Sequence, residues 1–177
     1  MKLSKNIPFY LTAGLIFIVS KLWFTAADIN KLAFLLKPID TLFGLITGSQ
    51  SIYIENYGYY HEYYNILIDK SCCGFNYFLI CFLVFVFLFT EQFSKPIYKA
   101  FVLPFSLIFS WILTIFVNIS RILISVNVYT KTLIILPNHQ DLIHQIIGIT
   151  SYLFFLLLTY LTMDKLIKSR KINEKSN

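Results

Sequence analysis

Charge is scarce in this chain. Only 14% of its 177 residues are Asp, Glu, Lys or Arg, while 57% are hydrophobic. A soluble domain carries nearer a quarter charged residues, so a water-soluble globule is excluded and an integral membrane protein is indicated. Glycine (six), proline (five), cysteine (three) and histidine (three) are sparse as well. No CxxC is present; Cys72 and Cys73 are adjacent, and Cys81 stands alone in an apolar run. Adjacent cysteines bridge only with strain, so a structural disulfide is not expected. His61-Glu62 lacks the second histidine of a zinc-protease helix, and His139 and His144 are five apart, which takes them off one helical face. A zinc site from Cys72, Cys73 and a histidine would have no recognisable spacing. The chain has no GxSxG, no Walker loop and no dinucleotide fingerprint. It shows no internal repeat and no low-complexity linker, and reads as one polytopic domain over 1–177.

What is present is a set of long apolar runs. Residues 7–27 are long enough to cross a bilayer at 1.5 Å per residue. This run follows a charged start but lacks a small-x-small cleavage site, so it reads as a retained helix rather than a signal peptide. Lys21, near its end, is expected to snorkel to the interface, and Trp23 suits the same depth. Further spans are expected at about 72–89, 100–121 and 142–163, the third with Pro104 in its first turns and continuing as helix to about 126. Between the first two spans lies an external segment, 28–71. In it, 30–48 is too broken by Lys31, Lys37, Pro38 and Asp40 to span, and reads as an interfacial or re-entrant helix. The tyrosine-rich stretch that follows reads as a small hairpin about Asn56-Tyr57-Gly58. Residues 90–99 and 127–141 read as loops, and 164–177 as a basic, frayed cytoplasmic tail. The fold class expected is an all-α membrane protein of about four helices with both ends inside.

The charges support that orientation. With the N-terminus in the cytoplasm, Lys2, Lys5, Lys95, Lys99 and the five basic residues beyond 163 fall inside, nine against six outside. Only Glu91, Asp164 and Glu174 of the nine acids fall inside. The whole net charge of +6 is then cytoplasmic, as the positive-inside rule requires. Sorted this way, the basic balance does not point to nucleic acid.

This topology puts Cys72, Arg121 and His144 at one depth, at the outer ends of the second, third and fourth spans. Ser110, Thr114, Asn118, Arg121 and Ser125 are spaced to share one helical face, as are His144, Gly148 and Ser151, and Cys72 lies one turn from Asn76. Polar faces of membrane helices turn towards protein or water. Each feature has a plainer explanation on its own: small polar stripes let helices pack closely, a lone Arg anchors headgroups, and a buried cysteine such as Cys81 packs as a small hydrophobe. A cysteine in the first turn of a membrane helix also meets the partial positive charge of the helix N-terminus, which favours the thiolate. The coincidence of Cys, Arg and His at one rim lifts the functional reading.

Cys72-x-Gly74, Asn118-x-x-Arg121 and His144-x-x-x-Gly148 together resemble the exosortase/archaeosortase family, over roughly 38–155. The short chain, the single span before the tyrosine-rich segment and Gly-Phe-Asn-Tyr-Phe at 74–78 are most like its compact exosortase K subgroup. The resemblance implies a membrane cysteine protease or transpeptidase in a bacterial inner membrane, with its site on the outer, periplasmic side. It implies exported protein substrates bearing a C-terminal tripartite sorting signal, and an unknown surface acceptor. It implies Cys72 as nucleophile, His144 as acid and base, Arg121 as oxyanion donor, and Asn118, Gly74, Asn76 and Gly148 around them. No cofactor, metal or nucleic acid is implied. The family's common serine or threonine after the nucleophile is here Cys73, which leaves room for shared reactivity. A membrane thiol redox protein and a non-catalytic assembly or transport subunit are the alternative readings; a vicinal thiol pair is geometrically a poor redox couple, and Arg121 has no evident role there.

Overall fold

A computed structural model describes residues 3–93, 95–132 and 140–176; the side chains of 3–5, 96, 129–132, 140, 141, 144 and 170–176 lie outside that description. In chain order the described elements are α1 (Leu3–Ala26), α2 (Ala33–Thr47), three strands, α3 (Phe75–Thr90), α4 (Pro96–Thr132) and α5 (Gln140–Ser176). Among the described residues, four stretches are long and apolar enough to cross a membrane: Asn6–Ala26, Lys70–Thr90, Ile97–Val128 and Gln145–Ser169. The protein is an all-α, four-span membrane protein with a small sheet at one end.

α3 is the centre of the bundle. In its span 61% of the residues are buried, against 6% in that of α1, so α1 is a peripheral helix with most of its side chains facing outward. α1 touches α3 where a small residue permits it: Ala13 packs on Phe82 and Val86. Higher up, Phe24 stacks on Phe75 with ring centroids 4.6 Å apart. The Lys21 ammonium donates to the Asn76 side chain at the start of α3.

α2 buries Leu35, Leu36, Ile39 and Phe43 on one face and packs against α4. Its 15 residues reach only about 22 Å, short of the ~30 Å hydrocarbon core, so it lies beside the bundle rather than through a bilayer. Pro38 has no N–H to give the carbonyl of Phe34, four residues back. That carbonyl is taken up by the indole N–H of Trp111, 2.9 Å away on α4. The proline that interrupts the sequence pattern thus creates the acceptor that ties α2 to the bundle.

The hairpin expected about Asn56 is present and has a third strand. β1 (Ile52–Ile54), β2 (Gly58–His61) and β3 (Ile66–Ile68) form an antiparallel meander, with Tyr60 opposite both Ile52 and Leu67. Asn56 (φ 65°) and Asn65 (φ 50°) occupy left-handed turn positions, which asparagine tolerates better than most residues. Three apolar residues are too few for alternation to reveal β3 in the sequence.

The last two helices are longer than the expected spans. No glycine or proline interrupts 121–132 or 164–176, so nothing stops helix propagation once the apolar span ends. The expected loop at 127–141 is helix through Thr132 and again from Gln140, and 133–139, with Pro137 and His139, lies outside the described residues. The expected frayed tail is a continuation of α5, supported by an i,i+4 pair between Lys168 and Asp164 at 2.6 Å. The polar loop expected at 90–99 gives way to α4 at Pro96.

Candidate functional site

The site is built at the sheet end, where α3 begins. Asp69 caps a 3₁₀ turn, Lys70–Cys72: its carboxylate accepts from the backbone N–H groups of Ser71 (2.9 Å) and Cys72 (3.2 Å) and from the Ser71 hydroxyl (2.6 Å). The Lys70 ammonium donates to the carbonyl of Ala27 at 2.7 Å and lies over the Phe24 ring, fixing the turn to the end of α1. Cys72 therefore precedes α3 instead of occupying its first turn; the helix proper starts at Phe75. Cys72 is 7% exposed and Cys73 fully buried, and both are free thiols, as is Cys81.

Gly74 makes the junction. Its φ of 67° is the left-handed conformation that ends the turn and lets α3 start afresh. A Cβ at this position would stand 2.0 Å from the Asn118 amide nitrogen on α4. Space and conformation both require glycine, and the space is filled by one of the residues singled out on the third span.

Asn118 is fully buried and joins three helices. Its amide donates to the carbonyls of Cys73 (3.3 Å) and Thr114 (3.0 Å), and its oxygen accepts from the Tyr152 hydroxyl of α5 at 2.7 Å. Arg121, one turn on, is 6% exposed. Its guanidinium carbon lies 5.5 Å from the centroid of the Tyr152 ring. Its Nε and Nη2 have no hydrogen-bond partner among the described residues. A Cβ on Gly148 would be 3.4 Å from its Nη1, so α5 approaches Arg121 at this glycine.

The structure thus brings together Gly74 and Asn118 by contact, and Arg121 and Gly148 by contact, with Cys72 beside them. Asn76 turns the other way, towards Lys21 of α1. His144 lies on α5, four residues before Gly148 and so on the same face of the helix; its side chain lies outside the described part. Cys81 is packed among Tyr77, Phe85 and Val117 in the apolar interior of the bundle. Three further residues matter: Asp69, which shapes the turn, and Tyr152 with the Tyr77 ring stacked on it at 4.7 Å. Tyr152 continues the 144, 148 spacing by one more turn, a signal the sequence carried. Among the described residues, no three of His, Cys, Asp and Glu gather to hold a metal ion.

Chemically, the arrangement offers a sulfur with limited solvent access, a buried cation with open hydrogen-bond donors, and a rigid amide-linked floor beneath both. No family model, curated protein or solved structure matches this chain.

Proposed function

We propose that the protein is a membrane cysteine transpeptidase of exosortase type. What carries this reading is the buried Arg121: its Nε and Nη2 donors meet no acceptor among the described residues, and Asn118, one turn away on the same helix, is bonded to the turn that carries Cys72 and Cys73. Donors left open in a buried place suit an oxygen that arrives with the substrate.

The Cys72 sulfur attacks the scissile carbonyl carbon of an exported protein held at the membrane surface. Electrons move onto the carbonyl oxygen, which Arg121 stabilises. The C–N bond then breaks, leaving a thioester on Cys72 and an amine that carries off a proton. His144 takes the thiol proton and returns it to that amine. A nucleophile on a surface acceptor resolves the thioester. Asn118 holds the Cys73 carbonyl and so fixes the floor of the turn on which Cys72 sits. The substrate's hydrophobic segment lies along the bundle, and its basic end stays cytoplasmic. The site faces the periplasm of a bacterial inner membrane, an orientation supported by the charge distribution.

The test is processing of a substrate carrying a C-terminal tripartite signal, followed by mass shift, with membrane abundance measured in parallel. Cys72→Ala is expected to abolish processing, His144→Ala to impair it severely, and Cys81→Ala to leave it intact. Cys73→Ser is expected to retain substantial activity. An active Cys72→Ala together with a dead Cys73→Ser would reverse the assignment of the nucleophile, and wild-type processing by His144→Ala would remove the acid–base role. Reporter fusions near Tyr60 should read as external and those after Ile97 as cytoplasmic; the opposite result turns the site inward.

A further inference from the structure

Arg121 is held in an unusual way for a buried arginine. A buried cation is ordinarily paired with a carboxylate, which occupies its donors. Here the guanidinium carbon lies 5.5 Å from the centre of the Tyr152 ring, within the range of cation–π attraction. Its Nε and Nη2 are left without partners among the described residues. These two nitrogens form one edge of the guanidinium, the edge that grips an oxygen side-on. An aromatic ring attracts the charge without taking up an edge N–H. A carboxylate would satisfy the charge and fill the fork.

Tyr152 is itself fixed on two sides. Its ring stacks on Tyr77 of α3, with centroids 4.7 Å apart and planes at 16°. Its hydroxyl donates to Asn118 at 2.7 Å, and Asn118 binds the Cys73 carbonyl. One side chain from α5 thus links the α3 turn that carries the cysteines to the α4 cation. Gly148, one turn before Tyr152, leaves the room in which the arginine lies, with Nη1 only 3.4 Å from where a Cβ would be.

We propose that Tyr152 is a positioning residue for the site: its ring holds Arg121 by cation–π attraction with the guanidinium edge free for a substrate oxygen, while its hydroxyl sets Asn118 beneath the Cys72–Cys73 turn. This rests on the transpeptidase reading for its chemistry but not for its geometry. Ring and hydroxyl make separable contributions.

The experiment uses the full-length protein in membranes. Tyr152→Leu removes the ring and is expected to lower kcat about thirtyfold with little change in KM, the equivalent of roughly 2 kcal/mol for a desolvated cation–π contact. Tyr152→Phe keeps the ring and is expected to lose only a few-fold, through Asn118. Phenylalanine at 152 with one, two or three ring fluorines keeps the shape and weakens the face; kcat should fall stepwise along the series. A flat series overturns the proposal, whatever Tyr152→Leu does to folding. A second readout needs no cleavage. In a Cys73→Ser, Cys81→Ala background, Cys72 should react faster with an anionic than with a cationic thiosulfonate. That preference should drop in Tyr152→Leu to the level of Arg121→Gln and persist in Tyr152→Phe. An unchanged preference in Tyr152→Leu overturns the proposal. If no substrate is cleaved but the preference shifts as expected, the transpeptidase reading falls and Tyr152 keeps its role. If substrate is cleaved and all Tyr152 variants match the parent, the reverse holds.

Discussion

Two buried polar clusters sit at the sheet end of this molecule, and they are finished differently. In the first, His61 of β2 is 1% exposed. Its Nε2 lies 3.0 Å from an Asp40 carboxylate oxygen of α2, and its Nδ1 lies 2.8 Å from the Ser49 hydroxyl, itself 2.7 Å from the Thr47 hydroxyl. None of these side chains has a buried polar atom without a partner. In the second, Asn118 and the Tyr152 hydroxyl are bonded, but Arg121 Nε and Nη2 and the Thr114 hydroxyl are not. Both clusters hold ionisable groups in a place water scarcely reaches. A closed network fastens elements together: the first clips the sheet to α2. An open one has capacity left for something that is not part of the fold. The lesson is that completeness of hydrogen bonding, more than the presence of ionisable groups, separates a fastening from a site. Asp, His and Ser in a row would otherwise be the more tempting place to look for chemistry.

The contrast makes opposite demands on mutation. Arg121→Lys should be the larger functional lesion. Lysine keeps the charge but offers a point donor on a flexible stem in place of a fork. Processing should fall by about 10²-fold or more, the scale of a lost oxyanion donor, while the unfolding midpoint in detergent stays near that of the parent. Combined with His144→Ala, the loss should be far from additive, because groups acting on one reaction centre fail together. Wild-type processing by Arg121→Lys would mean the fork is not used.

His61→Ala should invert that pattern. It leaves Asp40 buried without its partner and opens a space beside Phe43, whose ring centroid is 4.7 Å from that of His61. Breaking a buried ionisable pair costs about 3–5 kcal/mol. Stability and membrane abundance should drop accordingly, while turnover per folded molecule is kept. A variant that folds as well as the parent but fails to process substrate would make the Asp40–His61 cluster part of the site and abolish the distinction.

What the sequence made legible follows the same division. Spans and their order come from apolar runs, which depend only on local composition and the membrane as solvent. The α3–α4 seam was legible because Ser110, Thr114, Asn118 and Arg121 recur at helical spacing, and all four are buried. Gly74 was noticed as a motif member; its reason, the Asn118 amide pressed against it, is a tertiary fact. The closed cluster was invisible. Asp40 and His61 are 21 residues apart on a helix and a strand, and no periodicity links them; Asp40 looked like a mere interruption of an apolar stretch. Tyr152 was overlooked because aromatic residues are common here, 18% of the chain, although its place one turn beyond Gly148 puts it on the same helical face as His144. The expected link between Cys72 and Asn76 failed for a local reason. The break at Gly74 interrupts the helix between them, so helical spacing does not apply across it.

The smallest expected effect gives the finest test of the contrast, and it needs two conservative substitutions compared side by side. Ser49→Ala removes a hydroxyl that bridges His61 and Thr47, so it should cost about 1 kcal/mol, the net value of a typical hydrogen bond. Thr114→Val removes a hydroxyl that is more deeply buried than that of Ser49, on α4, and that has no partner among the described residues. Valine has the same shape and no polar atom to desolvate, so stability should be unchanged or should rise slightly. The Thr114 carbonyl, which accepts from Asn118, belongs to the backbone and survives the change. Processing should therefore stay at the parent's rate. Unfolding midpoints of the two variants, measured in the same detergent, should move in opposite directions or differ by the full value of one bond. Equal losses would mean that the Thr114 hydroxyl has a partner such as bound water, that the α3–α4 seam is as complete as the Asp40–His61 cluster, and that the open capacity of the site is confined to Arg121.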